Sequence, residues 1–377
     1  MKSNTASRAP TQDRRIAIAV VALAVTLAAC GASANPRAPS SATAAPTTAP
    51  GGPATSSGAP TTSGIPIQPG GLPGTAAAAG GPFPGGLLIA DGGNGRLLVV
   101  SSTGQQLWQF PTTGSLPSGQ AFEADDAFIA PDGRTIVAND DSHDVIDRID
   151  IGTGKVIWQY GHYGVPGRAA GYLNGPDDSY PLANGDVVVA DIKNCRVIEI
   201  APSKQIVQQW GQTGRCIDLA PRTYGSPNGD TPLPDGGLLI TNIHGSRVVR
   251  LSATGKVIFD IHVPVAYPSD AHLDAKGNVI VTDYSTIGAV VLVSPQGRLL
   301  WRYAPTSGNG RLDHPSLAAP LPNGMIVVND DFRARVVVID PTTNTIVWQY
   351  GRTGAPGNGP GQLSVPDGVD VLPVGIF

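Results

Sequence analysis

A short segment recurs six times in this 377-residue chain, and such self-similarity constrains a fold more tightly than any single motif. Aligned without gaps on a glycine, the copies read EADDAFIAPDG (123–133), GPDDSYPLANG (175–185), SPNGDTPLPDG (226–236), YPSDAHLDAKG (267–277), HPSLAAPLPNG (314–324) and VPDGVDVLPVG (365–375). After the first five glycines an apolar run ends in Asp140, Asp191, Asn242, Asp283 or Asp330. A turn, a second β-rich run and a strand ending near Trp158, Trp210, Phe259, Trp301 or Trp348 follow. The spacing of roughly 40–50 residues is that of a four-stranded propeller blade.

The sixth copy explains the ends. VPDGVDVLPVG has almost no chain after it, whereas GGLLIADGGNGRLLVVSSTGQQLWQF (85–110) has no such segment before it, and Asp91 and Trp108 occupy its acid and aromatic columns. A C-terminal inner strand that completes a sheet begun near residue 85 removes the open seam of the ring. The expected fold is therefore all-β, a six-bladed β-propeller over 85–377 closed between its two ends. The 48 Gly and 35 Pro agree, because a helical bundle needs long runs free of both.

The N-terminus carries an address. Lys2, Arg8, Arg14 and Arg15 precede an uncharged run, IAIAVVALAVTLAA (16–29), which has the length of a signal-peptide core and is short for a membrane span. Leu27-Ala28-Ala29-Cys30-Gly31 resembles the lipobox of bacterial lipoproteins, which implies cleavage after residue 29, lipidation of Cys30 and an extracytoplasmic, membrane-anchored chain. Residues 30–84 read as a disordered tether. Of the 54 positions from 31 to 84, 47 are Ala, Pro, Ser, Thr or Gly, too little apolar surface to offset ordering. Removing residues 1–29 leaves 21 basic against 28 acidic side chains, a net charge of −7 that disfavours nucleic acid as a partner.

Asp-x-x-Asn-x-Arg followed by Leu or Val occurs at 91–97 (DGGNGRL) and 191–197 (DIKNCRV), and 351–366 reads GRTGAPGNGPGQLSVP. These segments resemble NHL repeats, which implies a six-bladed propeller used for recognition or scaffolding. Asp150 to Trp158 (DIGTGKVIW), and more loosely Asp340 to Trp348 (DPTTNTIVW), resemble the repeats of quinoprotein propellers. Those typically have eight blades, so the Trp column is read as packing between blades and quinone-dependent dehydrogenase chemistry is the less favoured implication.

In a propeller the first strand of each blade lines a central channel. Eight residues before each aligning glycine stand Asp125, Asp177, Asn228, Ser269, Ser316 and Asp367, all small and polar. Asp126, Asp178 and Asp270 follow directly, and Asp230 and Asp370 lie deeper; His272 falls within a channel strand and His314 precedes one. Carboxylate and amide oxygens converging on a narrow channel suit Ca²⁺, and imidazole would add a Zn²⁺ option. The same pattern also has a purely architectural use, with the side chains capping backbone N–H groups at each strand start. The acid column ending each second strand (Asp91, Asp140, Asp191, Asn242, Asp283, Asp330) is expected to brace turns.

No G-x-S-x-G elbow, phosphate loop or closely spaced His pair appears. Cys195 and Cys216 are expected to form a disulfide in an oxidising compartment. The leading reading is a monomeric envelope module that binds a protein, peptide or glycan through its acidic face and the loops 161–174, 211–225, 304–313 and 352–364. A Ca²⁺- or Zn²⁺-dependent lactonase- or lyase-type enzyme, with its site at the channel mouth, is the alternative.

Overall fold

The computed structural model describes residues 81–377. The signal peptide (1–29), the lipidation site Cys30 and all but the last four residues of the tether lie outside the described residues.

Among the described residues the strands form six antiparallel sheets. The first blade runs from the channel outward as Pro366–Val371, Gly86–Asp91, Arg96–Ser101 and Gln106–Phe110. Its innermost strand is thus C-terminal, paired antiparallel to the N-terminal one with Leu88 opposite Asp370, the closure that the unpaired sixth copy implies. The other inner strands are Ala127–Ile129, Pro176–Pro181, Pro227–Pro232, Pro268–Leu273 and Ala318–Pro320, each followed by three more strands in order. The fifth blade adds a short strand, Leu312–Asp313, on its third strand, Thr286–Val293.

Strand alternation drives the stacking. In Gly86–Asp91 every residue is buried, which a one-faced sheet would not show. Leu87 and Ile89 face the sixth blade (Val327, Val336, Val338), while Leu88 and Ala90 face the second (Ile136, Ala138, Ile149). The same division gives a hydrophobic cluster at each of the six blade-to-blade interfaces. The outer aromatics bridge these interfaces as expected. The Trp158 indole N–H donates to the Pro202 carbonyl of the third blade at 3.0 Å, and that of Trp348 to the Ser102 carbonyl of the first at 2.9 Å. Phe83 is buried and packs edge-on against Trp348, so chain just before residue 85 joins the same interface.

Each second strand ends in its brace. Asp191 accepts hydrogen bonds from Asn174 N (2.8 Å), Asn194 Nδ2 (2.8 Å) and Arg196 Nε (2.7 Å). Asp91 does the same with Ser364 N, Asn94 and Arg96. Asp330 binds Asp313 N and Arg335 Nε, a third copy in which Arg333 stands where the motif has Asn. In all three the turn is a single 3-10 turn closed by a left-handed residue, Gly95, Cys195 or Ala334. Asp140, Asn242 and Asp283 likewise accept from Glu123 N, Ser226 N and Tyr267 N. All six therefore tie the segment entering an inner strand to its own blade. The motif resembling the quinoprotein repeat is also a turn fastening: Asp150 accepts from Thr153 N and Oγ1. Cys195 and Cys216 form the expected disulfide, with Cα atoms 5.2 Å apart.

Candidate functional site

Three of the inner strands deliver adjacent polar residues to the channel because they are bulged at their entrances. A regular strand would send alternate side chains to opposite faces. Here the register against the second strand shifts between Asp177 and Tyr180, between Pro227 and Asp230, and between Pro268 and Ala271. An extra residue at such a point re-aims its neighbours, so Asp177 with Asp178 and Ser269 with Asp270 face one space. Asp178 takes a left-handed φ of 44° to do so, a conformation Asp tolerates better than most residues.

A cavity of about 360 Å³ occupies the channel mouth. Asp125, Asp126, Asp177, Asp178, Asn228, Ser269, Asp270 and Asp367 line it, all anticipated from the repeat, together with Ser316 of the same column. Asp141, Ile192, Lys193, Tyr267 and Tyr284 line it as well and were not singled out from sequence. A signal for three of them exists: Asp141, Ile192 and Tyr284 each follow a brace residue directly. Asp331, in the same register after Asp330, is buried beside Ser316, whose hydroxyl donates to it at 3.3 Å. Four anticipated residues sit elsewhere. Asp230, His272 and Asp370 lie deeper in the channel strands, and His314 stands beside the mouth, its Nδ1 2.8 Å from Asp313 Oδ1 and its ring against Tyr284 and Phe332.

Capping of strand starts is only part of what these acids do. Asp177 Oδ1 accepts the Asp178 N–H and Asp370 Oδ2 the Ile129 N–H. By contrast Asp126, 4% exposed, has no hydrogen-bond partner for Oδ1, nor has Asp178, 2% exposed, for Oδ2. Asp230 is fully buried and both its oxygens lack partners. Among the described residues no lysine, arginine or histidine forms an ion pair with Asp125, Asp126, Asp177, Asp178 or Asp230; Asp270 alone of the cavity-lining acids has one, with His272 Nδ1 3.1 Å from its Oδ2.

The protonation equilibria follow from this arrangement. Burial, then the charge of Asp177 and Asp367, pushes Asp125 and Asp126 well above the usual carboxylate range. Burial and the charge of Asp270 do the same to Asp178 and Asp230. Asp177 is pushed up to about 7 and Asp370 to about 6, burial leading in both. Burial pulls His272 down, but Asp270 and Asp370 together carry it above its ordinary value. Acids pushed together in low dielectric cannot all ionise unless a cation joins them.

Two glycines make room for the crowd. A Cβ on Gly368 would stand 2.5 Å from Asp126 Oδ1, and one on Gly229 would stand 2.5 Å from Asp270 Oδ1 and 3.0 Å from Asp178 Oδ2. The ligand oxygens of Asp125, Asp126 and Asp177 lie within 4.8 Å of one another, the one such grouping among the described residues. No imidazole or thiolate takes part, so the donor set is hard oxygen and fits Ca²⁺ better than Zn²⁺.

Fold and site together define a class: a six-bladed β-propeller, closed by its C-terminal strand, with an acid-lined channel mouth. Residues 54–205, less than half of the chain, match the family model described as outer membrane protein assembly factor BamB. No curated protein matches the chain. Among solved structures, a protein of unknown function from Bacteroides caccae aligns with a TM-score of 0.54 and 16% identity, covering 76% of this chain and 98% of that one. A virginiamycin B lyase from Staphylococcus aureus aligns at 0.44 with 15% identity, covering 62% of this chain and 71% of that one. Identities this low speak to fold alone, and the lyase likeness carries no functional argument. Among the described residues no helix is long and apolar enough to cross a membrane.

Proposed function

We propose that this protein is an exported, lipid-anchored binding module of the cell envelope that holds a protein, peptide or glycan ligand at the mouth of its channel. The observation that carries the reading is the cavity itself, in which seven aspartates and two tyrosines converge with a single lysine. Polar groups assembled in a concave site from all six blades and their turns form the kind of site that ligands use. Export and anchoring rest on the apolar run 16–29 and on Cys30. The partial match to an outer membrane assembly factor model, a family whose name describes work on other envelope proteins, supports a recognition role.

The experiment is site-specific photo-crosslinking in cells that produce the full-length chain. A crosslinker replacing Tyr284 at the mouth should capture an envelope component, and the capture should weaken when Asp367→Asn is added. The same group at Ile157, exposed on an outer strand, should not capture it. Capture at Ile157 with none at Tyr284 would overturn the reading.

A second reading, a metal-dependent lyase- or lactonase-type enzyme, is favoured by one specific observation: the three clustered carboxylates border a cavity with room for a substrate. Its test is turnover of a panel of lactones and unsaturated-product-forming substrates that disappears in Asp126→Asn.

A further inference from the structure

We infer that Asp125, Asp126 and Asp177 hold one divalent cation of the Ca²⁺ class at the channel mouth, and that this ion is the counter-charge the acid ring lacks. The inference rests on the reading of the mouth as a ligand site and adds what that site requires before a ligand arrives.

Three observations meet here. First, the geometry is that of a shared ion. Oxygens bound to one Ca²⁺ at about 2.3–2.6 Å can stand no more than about 5 Å apart, and the three ligand atoms all fall within 4.8 Å. Second, a buried acceptor is left over. Asp126 Oδ1 is enclosed and unpartnered, and so is Asp178 Oδ2 on the next residue after Asp177. A buried oxygen without a donor costs about 1–3 kcal/mol or more when charged, so these two acids need either a proton shared with a neighbouring carboxyl, as between Asp126 and Asp177, or a cation in its place. Third, the surroundings offer no substitute. The one basic side chain lining the cavity is Lys193, which makes no ion pair among the described residues. It runs alongside Gly175, where an added Cβ would meet its Nζ at 3.1 Å.

The donor set also selects the ion. His272 is committed to Asp270 and His314 to Asp313, and both cysteines are in the disulfide. One clustered oxygen from each of the three carboxylates gives three ligands, short of the six to eight that Ca²⁺ takes. The remaining positions fall to water or to oxygens of an incoming ligand, which links the cation to hydroxyl- or carboxylate-bearing partners.

The test is isothermal titration of the EDTA-stripped full-length chain with CaCl₂, MgCl₂ and ZnCl₂ separately, with no other ligand present. The expected result is one Ca²⁺ per chain and an apparent Kd raised at least tenfold by Asp126→Asn or Asp177→Asn. Asp147→Asn, a buried acid outside the channel, should leave it unchanged. A thermal melt of each variant checks folding, and Ca²⁺ should raise the melting temperature of the parent and of Asp147→Asn but not of the channel variants. Absence of saturable Ca²⁺ binding up to ~1 mM, the range of weak extracellular calcium modules, would overturn the inference, as would tighter binding of Zn²⁺ or Mg²⁺. The two readings fail separately: crosslinking at Tyr284 without Ca²⁺ binding removes the ion and keeps the module, and Ca²⁺ binding without crosslinking does the reverse.

Discussion

Two sets of aspartates lie equally deep in this propeller and are treated in opposite ways. The braces Asp191 and Asp330 each meet an arginine at 2.7 Å and a backbone N–H. Burial still raises their pKa, but Arg196 and Arg335 oppose it. In the channel, burial and the neighbouring acids push Asp126, Asp178 and Asp230 in the same direction, with no arginine to answer. The brace is a closed network that fixes structure. The channel is an open one, and such sites tend to be functional because perturbed acids in a cleft await something that is not protein.

The sharpest way to break this contrast is to strip one member from each set. Asp330→Ala leaves Arg335, 1% exposed, without its carboxylate, and urea unfolding should show a loss of about 3–5 kcal/mol. Removing the bridge by Cys216→Ser should cost less, about 3 kcal/mol, the loop-closure entropy of a bridge spanning 21 residues. In the channel the sign reverses: Asp230→Asn in metal-free buffer at pH 8 should gain about 1–2 kcal/mol, since it removes a buried carboxyl that resists ionisation. An equal loss in Asp330→Ala and Asp230→Asn would erase the distinction. Asp147 is an intermediate case, buried with Gln159 Nε2 at 2.9 Å and pushed up to about 6, mainly by burial. Asp147→Asn should gain about 1 kcal/mol at pH 8 and nothing at pH 4, where the native carboxyl is already protonated.

Much of this could be read from the repeat. The six copies, the paired ends and the brace column emerge from periodicity because each blade must solve the same closure and packing problem. The channel column was legible for the same reason, and nine anticipated residues line one cavity. What stayed hidden depends on how blades meet. Asp141 and Tyr284 reach the cavity from turns, and nothing in a strand pattern says how far a turn leans over an axis. Asp331 reads as one more acid beside a brace until packing encloses it. The third brace is disguised by Arg333 in place of Asn. Phe83 lies in a stretch whose composition reads as tether, yet a single aromatic seated against Trp348 suffices to dock it.

The most direct measurement of the central claim is the melting temperature of the metal-stripped full-length protein at pH 5 and pH 8. Asp230 and Asp331 are pushed well above the usual carboxylate range and Asp370 to about 6, burial leading in each. Each holds a proton in the native state that the unfolded chain has released near pH 4. The stability it contributes is complete below that value and is lost as pH rises through the native one. The account predicts a melting temperature lower at pH 8 than at pH 5 by on the order of 5 °C, restored at pH 8 by CaCl₂. A melting temperature that is level or rises toward pH 8, and does not respond to Ca²⁺, would contradict it.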